Sequence, residues 1–350
     1  MLPSSPIIVI MQGVAAWNHW RRLHDAAESP NLREVLLIRA ELPRINLSCI
    51  DSCISNFSGA NLFQANLAHA SFYTANLSQV RLDEADLEGV DMREANLREA
   101  SFIRVQARQA NFAMADLHGS NLREAILTNG NFCEASLGKV DGCMAQMNHC
   151  NLSYADLDSS LFYTADLRQT NFRKATLTSA DFREANLTQA ILEDIQGFQS
   201  SFARAILDRA ILTGAWLSAA DFTMASLKLA IFNQANLSQA CLRNSILTGA
   251  SLVNTTLHQA QLQDSSMKKA DCRNAVFSEA NLENVNFQKA NLSGADLSRA
   301  RLRGACFINA NLRHANLSQV DLRQTDLSGA DLSHAILTGT QLSESLAEAA

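Results

Sequence analysis

The amino-acid sequence predicts an all-β fold in which short extended segments coil into stacked turns, and three observations lead to this prediction. Large hydrophobic side chains recur at every fifth residue from Leu32 to Leu342, which is neither the 3.6-residue spacing of a helix nor the two-residue spacing of a long strand. Only 14 Gly and 4 Pro occur in 350 residues, too few for a fold built from many loops. No insertion breaks the period, so one repetitive architecture accounts for most of the chain.

The repeating unit has one small and one large apolar position. The small residue, mostly Ala as at Ala60, precedes the large one by two, and the residue between them is mostly Asn or Asp, as at Asn61. The small and large side chains therefore point to the same side of a three-residue extended segment, and the two remaining residues turn a corner. Because one such unit buries little surface alone, successive turns must stack.

The large position is Leu, Phe or Met at all but five of 63 places. The exceptions are Ser52, Ala107, Gly142, Gly197 and Cys272. Because the first four of these fill less of the interior, the sequence predicts local distortions near 105–108, 140–150 and 195–199.

The runs Ala60–Gln64, Ala65–Leu67 and Ala295–Arg299 resemble the A(D/N)LXX unit of the pentapeptide repeat family. The resemblance covers residues 30–344. It implies a right-handed quadrilateral parallel β-helix with four units per coil, so the 63 units would form about 16 coils.

Residues 1–29 precede the repeat and form the predicted N-terminal cap segment. Their apolar residues fall at roughly helical spacing and predict a short helix. These residues are Ile7, Ile10, Met11, Val14 and Trp17. We favour a cap over the first coil, since a solenoid of paired segments has an open edge at each end, and keep a partner-binding helix as the alternative.

The segment Trp17–Arg21 is similar to the openings of some cyanobacterial members of the family. At the other end, residues 345–350 form a short predicted tail in which Leu346 is the one large apolar side chain. We expect this end of the solenoid either to dimerise or to stay weakly capped.

The charge and cysteine content suggest a cytoplasmic protein that binds neither DNA nor a membrane. The 29 basic and 35 acidic residues give a formal charge of −6, so direct nucleic-acid binding is not expected. The eight cysteines form no CxxC pair and are expected to be reduced thiols. No run of 18 apolar residues occurs, and no secretory signal is recognisable.

The sequence contains no known catalytic or cofactor-binding motif, so we predict no enzyme activity, no catalytic residue, no cofactor and no metal. A convex rod also offers no cleft for a substrate. His314 and His334 would stack on adjacent coils, but no third ligand accompanies them, so we interpret them as surface residues.

Six large apolar residues occupy the normally polar position of the repeat and form the candidate partner interface. They are Ile191, Ile206, Ile211, Trp216, Ile231 and Ile246. One hypothesis is that they form a contact surface for a partner or for a second copy of the chain. The simpler interpretation, which we favour from sequence alone, is that β-branched residues suit extended segments and are half-covered by their neighbours.

Five basic residues form a candidate basic patch on a face where we expect no acidic residue before Asp326. They are Arg209, Lys228, Lys268, Lys269 and Lys289. We interpret it as an ordinary solvated face, and the alternative is a patch that attracts phosphate groups or an acidic protein.

We therefore predict a non-enzymatic protein–protein interaction or scaffold module with an unidentified protein partner, or a homodimer formed through the C-terminal end or the Ile residues. The alternative is a DNA-mimicking modulator of DNA gyrase or topoisomerase, an activity that the resemblance implies for some family members. Arginines dilute the acidic residues here, and no substantial C-terminal dimerising helix is evident.

Overall fold

The computed structural model describes residues 5–24 and 29–342 and divides the chain into two compact units, Met1–Thr176 and Leu177–Ala350. The predicted tail 345–350, and parts of the segments predicted at 1–29 and 30–344, lie outside the described residues.

Each unit is a β-helix-like solenoid built from isolated parallel bridges. In the first unit the bridges run from Asn31↔Asp51 to Asp156↔Thr176, and in the second unit from Asp181↔Ser201 to Asp321↔Gln341. Bridged residues are 20 positions apart, so one coil contains four five-residue repeats. Each repeat contributes one bridged residue, which lies between two turns.

Hydrogen bonds between coils fix this register. The Leu62 N–H donates to the Arg81 carbonyl of the following coil at 2.8 Å, and the Asn61 N–H donates to the Ala40 carbonyl of the preceding coil at 2.9 Å. The same pattern recurs in both units, which satisfies the backbone groups that a segment buries between its neighbours.

The corners explain why the repeat prefers Asn or Asp. In the unit that begins at Ala60, the Phe63 N–H has no backbone acceptor and donates instead to Asn61 Oδ1 at 3.1 Å. The next residue, Gln64, has a φ of 55°, the positive value that a type II turn requires at its third residue. A short side chain with a carbonyl or carboxylate oxygen thus completes the corner where Asn or Asp occupies this position.

The interior is filled by the small and large apolar positions, which are almost all fully buried. Phe182, Phe202 and Phe222 stack face to face through successive coils, with ring centroids 5.2 and 5.0 Å apart.

The distortions predicted from small core residues are wrong. The Gly142 and Gly197 N–H groups keep their 2.7 Å bonds to the following coil, and the bridges continue through 105–108, 140–150 and 195–199. A Cβ atom at Gly142 would overlap the Phe162 ring, and one at Gly197 would lie 2.8 Å from Leu217 Cδ2. Larger residues of the following coil therefore fill the space that the glycines leave.

Within the two units as described, the pairing is interrupted elsewhere, between Arg301 and Asp321. The bridge that the register requires is missing there, and the Gly304 N–H bonds to the Gln324 carbonyl, one residue beyond its regular acceptor. Gln324 also lacks the positive φ that other residues adopt at this corner position.

Two short helices precede the solenoid: α1 spans Pro6–Ile10 and α2 spans Val14–Leu23. Gly13 separates them with a φ of 96°, a conformation that ends the helical path. Ile10 and Trp17 are buried, whereas Ile7 and Met11 of the predicted apolar stripe are exposed.

Side chains of α2 bond to the open backbone edge at residues 44–48. Asn18 donates to the Arg44 carbonyl at 3.0 Å and accepts the Asn46 N–H at 2.8 Å. Trp17 Nε1 donates to the Asn46 carbonyl at 2.6 Å, and Arg21 donates to the Ser48 carbonyl at 2.9 Å. The Asn46 N–H and the Asn46 and Ser48 carbonyls are groups that a preceding coil would otherwise pair, whereas the Arg44 carbonyl accepts no coil-to-coil bond in the regular pattern. Among the described residues, no helix has the length and apolar character needed to cross a membrane.

Candidate interaction surface

One outer column of the first unit is a ladder of amides. Asn131 Nδ2 donates to Asn111 Oδ1 at 3.1 Å, and Asn151 Nδ2 donates to Asn131 Oδ1 at 3.2 Å. Asn131 Oδ1 also accepts the Cys133 N–H of its own corner at 3.2 Å. Each Asn therefore satisfies both its corner and its neighbour.

In the second unit the same repeat position holds three consecutive isoleucines. Bridges join Ile191 to Ile211 and Ile211 to Ile231, and all three side chains are half-buried. Because Ile has no acceptor, the corner N–H groups of Thr213 and Asn233 find no hydrogen-bond partner among the described residues. This Ile column exposes apolar side chains and unpaired backbone donors together.

The other predicted interface residues lie in the columns on either side. Ile206 and Ile246, 42% and 39% exposed, bridge to Ser226 between them, in the column that precedes the Ile column along each coil. Trp216, 60% exposed, lies in the column that follows, between Gln196 and Asn236. All six predicted residues thus fall on three successive columns of the second unit.

Two exposed corner residues that the sequence analysis missed border the same region. Met224 and Leu229 are 53% and 51% exposed and occupy the corners before and after Ser226. The signal for them was an apolar residue at a turn position that is usually polar. We define the apolar patch as the six predicted residues together with these two.

The predicted basic residues lie at the corners between the Ile206 column and the Ile column. All five are exposed. The expectation that no acidic residue precedes Asp326 on this face is wrong, because Asp208 lies in the same row of corners, 4.0 Å from Lys228 Nζ. Asp208 Oδ1 also accepts the backbone N–H of Lys228 at 3.1 Å, and the nearby carboxylate offsets part of the Lys228 side-chain charge.

Many carboxylates at the Asn/Asp position are paired with an arginine two residues later. The Arg168 guanidinium donates to Asp166 at 2.6 and 2.7 Å, and this hydrogen bonding lowers the pKa of Asp166. Hydrogen bonds from the Arg323 side chain and backbone lower the pKa of Asp321 to about 2. Equivalent ion pairs are Asp91–Arg93, Asp181–Arg183 and Asp271–Arg273.

The remaining reactive side chains are arranged as ordinary surface or core groups. The rings of His314 and His334 stack with centroids 4.9 Å apart. No group of three His, Cys, Asp or Glu side chains in the described part of the chain is placed to hold a metal ion. All eight cysteines are free thiols, and burial raises the pKa of Cys150 to about 12.

Comparison with known proteins supports this architecture. A family model for pentapeptide repeats matches residues 162–194, 230–268, 265–304 and 305–344, and a model for a pentapeptide repeat region matches residues 55–132. The two models together match more than half of the chain. No curated protein matches it.

Solved structures of the same kind are also similar. QnrB1, a plasmid-mediated fluoroquinolone resistance protein, is 24% identical over 46% of this chain and 88% of its own, with a TM-score of 0.38. HetL, a pentapeptide repeat protein involved in heterocyst differentiation regulation in Nostoc sp. strain PCC 7120, is 28% identical over 83% of this chain and 95% of its own, with a TM-score of 0.23. A pentapeptide repeat protein from the Arabidopsis thaliana thylakoid lumen is 34% identical over 27% of this chain and 67% of its own, with a TM-score of 0.19. With its five-residue period, its 20-residue register and these family matches, the chain belongs to the pentapeptide repeat proteins.

Proposed function

We propose that this chain is a non-enzymatic protein–protein interaction module whose apolar patch binds a partner protein. In this proposal the solenoid is right-handed and four-sided with about 16 coils, and α2 caps its first coil. The bonds of α2 to the backbone of residues 44–48 support the cap, because they replace pairing that the first turns would otherwise lack.

The Ile column is the observation that carries the proposal. Three consecutive coils place Ile where an amide or carboxylate would complete the corner, which leaves the Thr213 and Asn233 N–H groups without a partner among the described residues. A protein that covers the column removes apolar surface from water and brings acceptors to these donors.

The border of the apolar patch indicates the chemistry of the partner. Arg209, Lys268 and Lys269 are exposed, and the structure gives them no ion-pair partner within the described residues. A partner surface with an apolar centre and acidic residues along one edge would complement both features. A second copy of the chain is the other protein that this surface could bind.

The test compares Ile211→Asp with Asn131→Asp. Both variants place a carboxylate at the same repeat position, where Asp occurs naturally, so both should fold. Affinity capture from the native host should recover a partner with the wild type and with Asn131→Asp but not with Ile211→Asp. Circular dichroism melting shows whether the variants remain folded.

Sedimentation velocity of the same proteins measures whether the chain forms a dimer. A dimer that Ile211→Asp dissociates would identify the partner as a second copy. A dimer that survives would point to the C-terminal end, where the core residues Leu327, Leu332 and Leu337 are only half-buried. Equal recovery of partner by all three proteins would contradict the proposed surface.

The ion pairs weigh against DNA mimicry as the function. A mimic of DNA must present rows of unpaired negative charge in place of phosphates. Asp91, Asp166 and Asp181 instead each pair with an arginine two residues later. A gyrase supercoiling assay with the purified protein separates the two functions, because inhibition at low micromolar concentration would favour mimicry.

A further inference from the structure

The interruption between Arg301 and Asp321 leaves backbone groups of both coils unpaired. In an unbroken register the Leu302 N–H would donate to the Asp321 carbonyl, and the Asp321 N–H would donate to the Ala300 carbonyl. Neither bond is present, and neither N–H group has another acceptor among the described residues. Two donors and two carbonyl acceptors therefore face the space between the coils.

This space is a cleft of about 570 Å³ that is rich in arginine. Its polar lining comes from both coils. The residues are Arg299, Arg301 and Arg303, then Gln319, Asp321 and Gln324 on the next coil, and Glu283, which lies 20 residues before Arg303. At ordinary positions of the repeat, regular coil-to-coil hydrogen bonds pair the corresponding backbone groups.

Of the three arginines that line the cleft, Arg301 is the one without a side-chain partner among the described residues. Arg299 donates to Gln319 at 2.8 Å and lies 3.8 Å from Glu279, and Arg303 donates to Gln324 at 2.9 Å. Arg301 has no ion pair and no side-chain hydrogen bond to any described residue. It occupies the outward position of the repeat directly beside the Leu302 N–H.

The carboxylates near the cleft do not cancel its positive charge. Arg323 neutralises Asp321 through bonds of 2.9 and 2.7 Å. Glu279 and Glu283 are the other acidic groups, so four arginines stand against three carboxylates. The cleft thus carries a net positive charge, and Arg301, which lines it, is exposed.

We propose that this cleft binds a phosphoryl oxyanion, either hydrogen phosphate or the phosphate group of a small ester. Arg301 and the Leu302 and Asp321 N–H groups donate to its oxygens. Near neutral pH hydrogen phosphate carries at least one O–H, and the phosphate group of an ester carries one part of the time; this O–H donates to the unpaired carbonyl of Ala300 or Asp321. A carboxylate offers only acceptors, so it would leave those carbonyls unpaired.

Arg81 provides a matched control because it occupies the same repeat position where the pairing is closed. The Leu82 N–H donates to the Ser101 carbonyl at 2.7 Å, and the Ser101 N–H donates to the Val80 carbonyl at 2.9 Å. The Arg81 guanidinium is committed to Asp83 at 2.8 Å. Arginine at this position therefore does not by itself open the coils.

The experiment is calorimetric titration of the full chain with inorganic phosphate, glycerol 3-phosphate and acetate at matched ionic strength. The variants are Arg301→Gln and Arg81→Gln, and Gln261 shows that glutamine fits this position in a closed register. Both phosphates should bind saturably and acetate should not. Arg301→Gln should weaken phosphate binding at least about tenfold, whereas Arg81→Gln should leave it unchanged. The tighter of the two phosphates shows whether a free ion or an ester fits better.

Amide hydrogen exchange on the same proteins tests the cleft directly. In free protein the Leu302 and Asp321 amides should exchange much faster than those of Leu82 and Ser101, and inorganic phosphate should slow them in the wild type but not in Arg301→Gln. Binding of acetate as tight as that of phosphate, equal affinities of the two variants, or no phosphate-dependent protection would each overturn the proposal.

Discussion

The Asn ladder of the first unit and the Ile column of the second unit show how one backbone supports two outer surfaces. Asn111, Asn131 and Asn151 bond to one another and to their corners. Ile211 and Ile231 keep the same 20-residue bridges without any of those side-chain bonds. The bridges therefore do not depend on the outer side chain, and the outer columns are free to differ in chemistry.

The two columns also differ in whether their side chains satisfy the hydrogen-bonding groups of the corners. Each Asn side chain satisfies donors and acceptors that the fold itself creates, so that column needs only water as its neighbour. The Ile column leaves donors at Thr213 and Asn233 and half-buried apolar side chains beside them. This contrast is why the proposed partner surface lies on the Ile column.

The largest expected effect comes from core residues beneath the two columns. We expect the same loss of unfolding free energy beneath the Asn ladder as beneath the Ile column. Phe132 and Phe232 are fully buried and follow Asn131 and Ile231. Phe132→Ala and Phe232→Ala should each lower the free energy of unfolding by about 3–5 kcal/mol, because each leaves a cavity between coils. Denaturant unfolding followed by circular dichroism measures both losses. A loss below about 1 kcal/mol at either site would mean that the two cores are not equivalent.

The next effect comes from exchanging the outer residues of the two columns. Asn131→Ile should cost about 1–3 kcal/mol of unfolding free energy, because it breaks two ladder bonds and leaves the Cys133 N–H without its acceptor. Ile211→Asn should change it by less than about 1 kcal/mol, since the lost apolar contact is offset by a new acceptor for the Thr213 N–H. Equal losses in the same unfolding experiment would show that the ladder bonds contribute nothing.

The sequence predicted the parts of the fold that repeat. The five-residue period identified the buried residues and the corners, because each core side chain occupies an equivalent site. The four-unit coil was implied only by the family resemblance, since the period does not state how many units close a turn. Gly142 was misjudged because Phe162, 20 residues away, fills its space, and such compensation is not visible within one unit.

The candidate surface was predicted less completely than the fold. The Asn/Asp position revealed the Ile column, but Leu229 was missed because it lies at a corner outside that position. Asp208 was overlooked because its role appears only when the corners of adjacent coils are placed side by side. The five-residue period gives no sign of the missing bridge beside Arg301, because Arg81 occupies the same repeat position where the bridges are complete.

Amide exchange should show a smaller difference between the two columns. The Thr213 and Asn233 amides have no acceptor among the described residues, whereas the Cys133 and Ser153 amides donate to Asn side chains at 3.2 Å. In free protein we expect the first pair to exchange at least about fivefold faster than the second, after correction for intrinsic rates. Hydrogen exchange measured by NMR resolves the individual amides. Equal protection would mean that the side-chain acceptors of the Asn ladder do not hold the corners.

The smallest expected effect concerns Asp166. It accepts the N–H of its own corner, as the Asn residues of the ladder do, and it also carries a negative charge. Asp166 accepts the Arg168 backbone N–H at 3.3 Å as an Asn would, and it also forms the ion pair with the Arg168 guanidinium. Hydrogen bonding from that side chain lowers the pKa of Asp166, so the folded state binds this proton less readily than the unfolded state. The stabilisation is fully present above the unfolded pKa of about 4 and is lost as the pH falls through the lower folded value. Because the pair is exposed on its arginine side, Asp166→Asn should lower the free energy of unfolding by less than about 1 kcal/mol at pH 7 and by progressively less as the pH falls. The free energies of unfolding of the wild type and Asp166→Asn, measured between pH 7 and 2, should therefore converge in acid. Asn131→Ala should instead keep a constant difference from the wild type, because the Asn ladder contains no group that titrates.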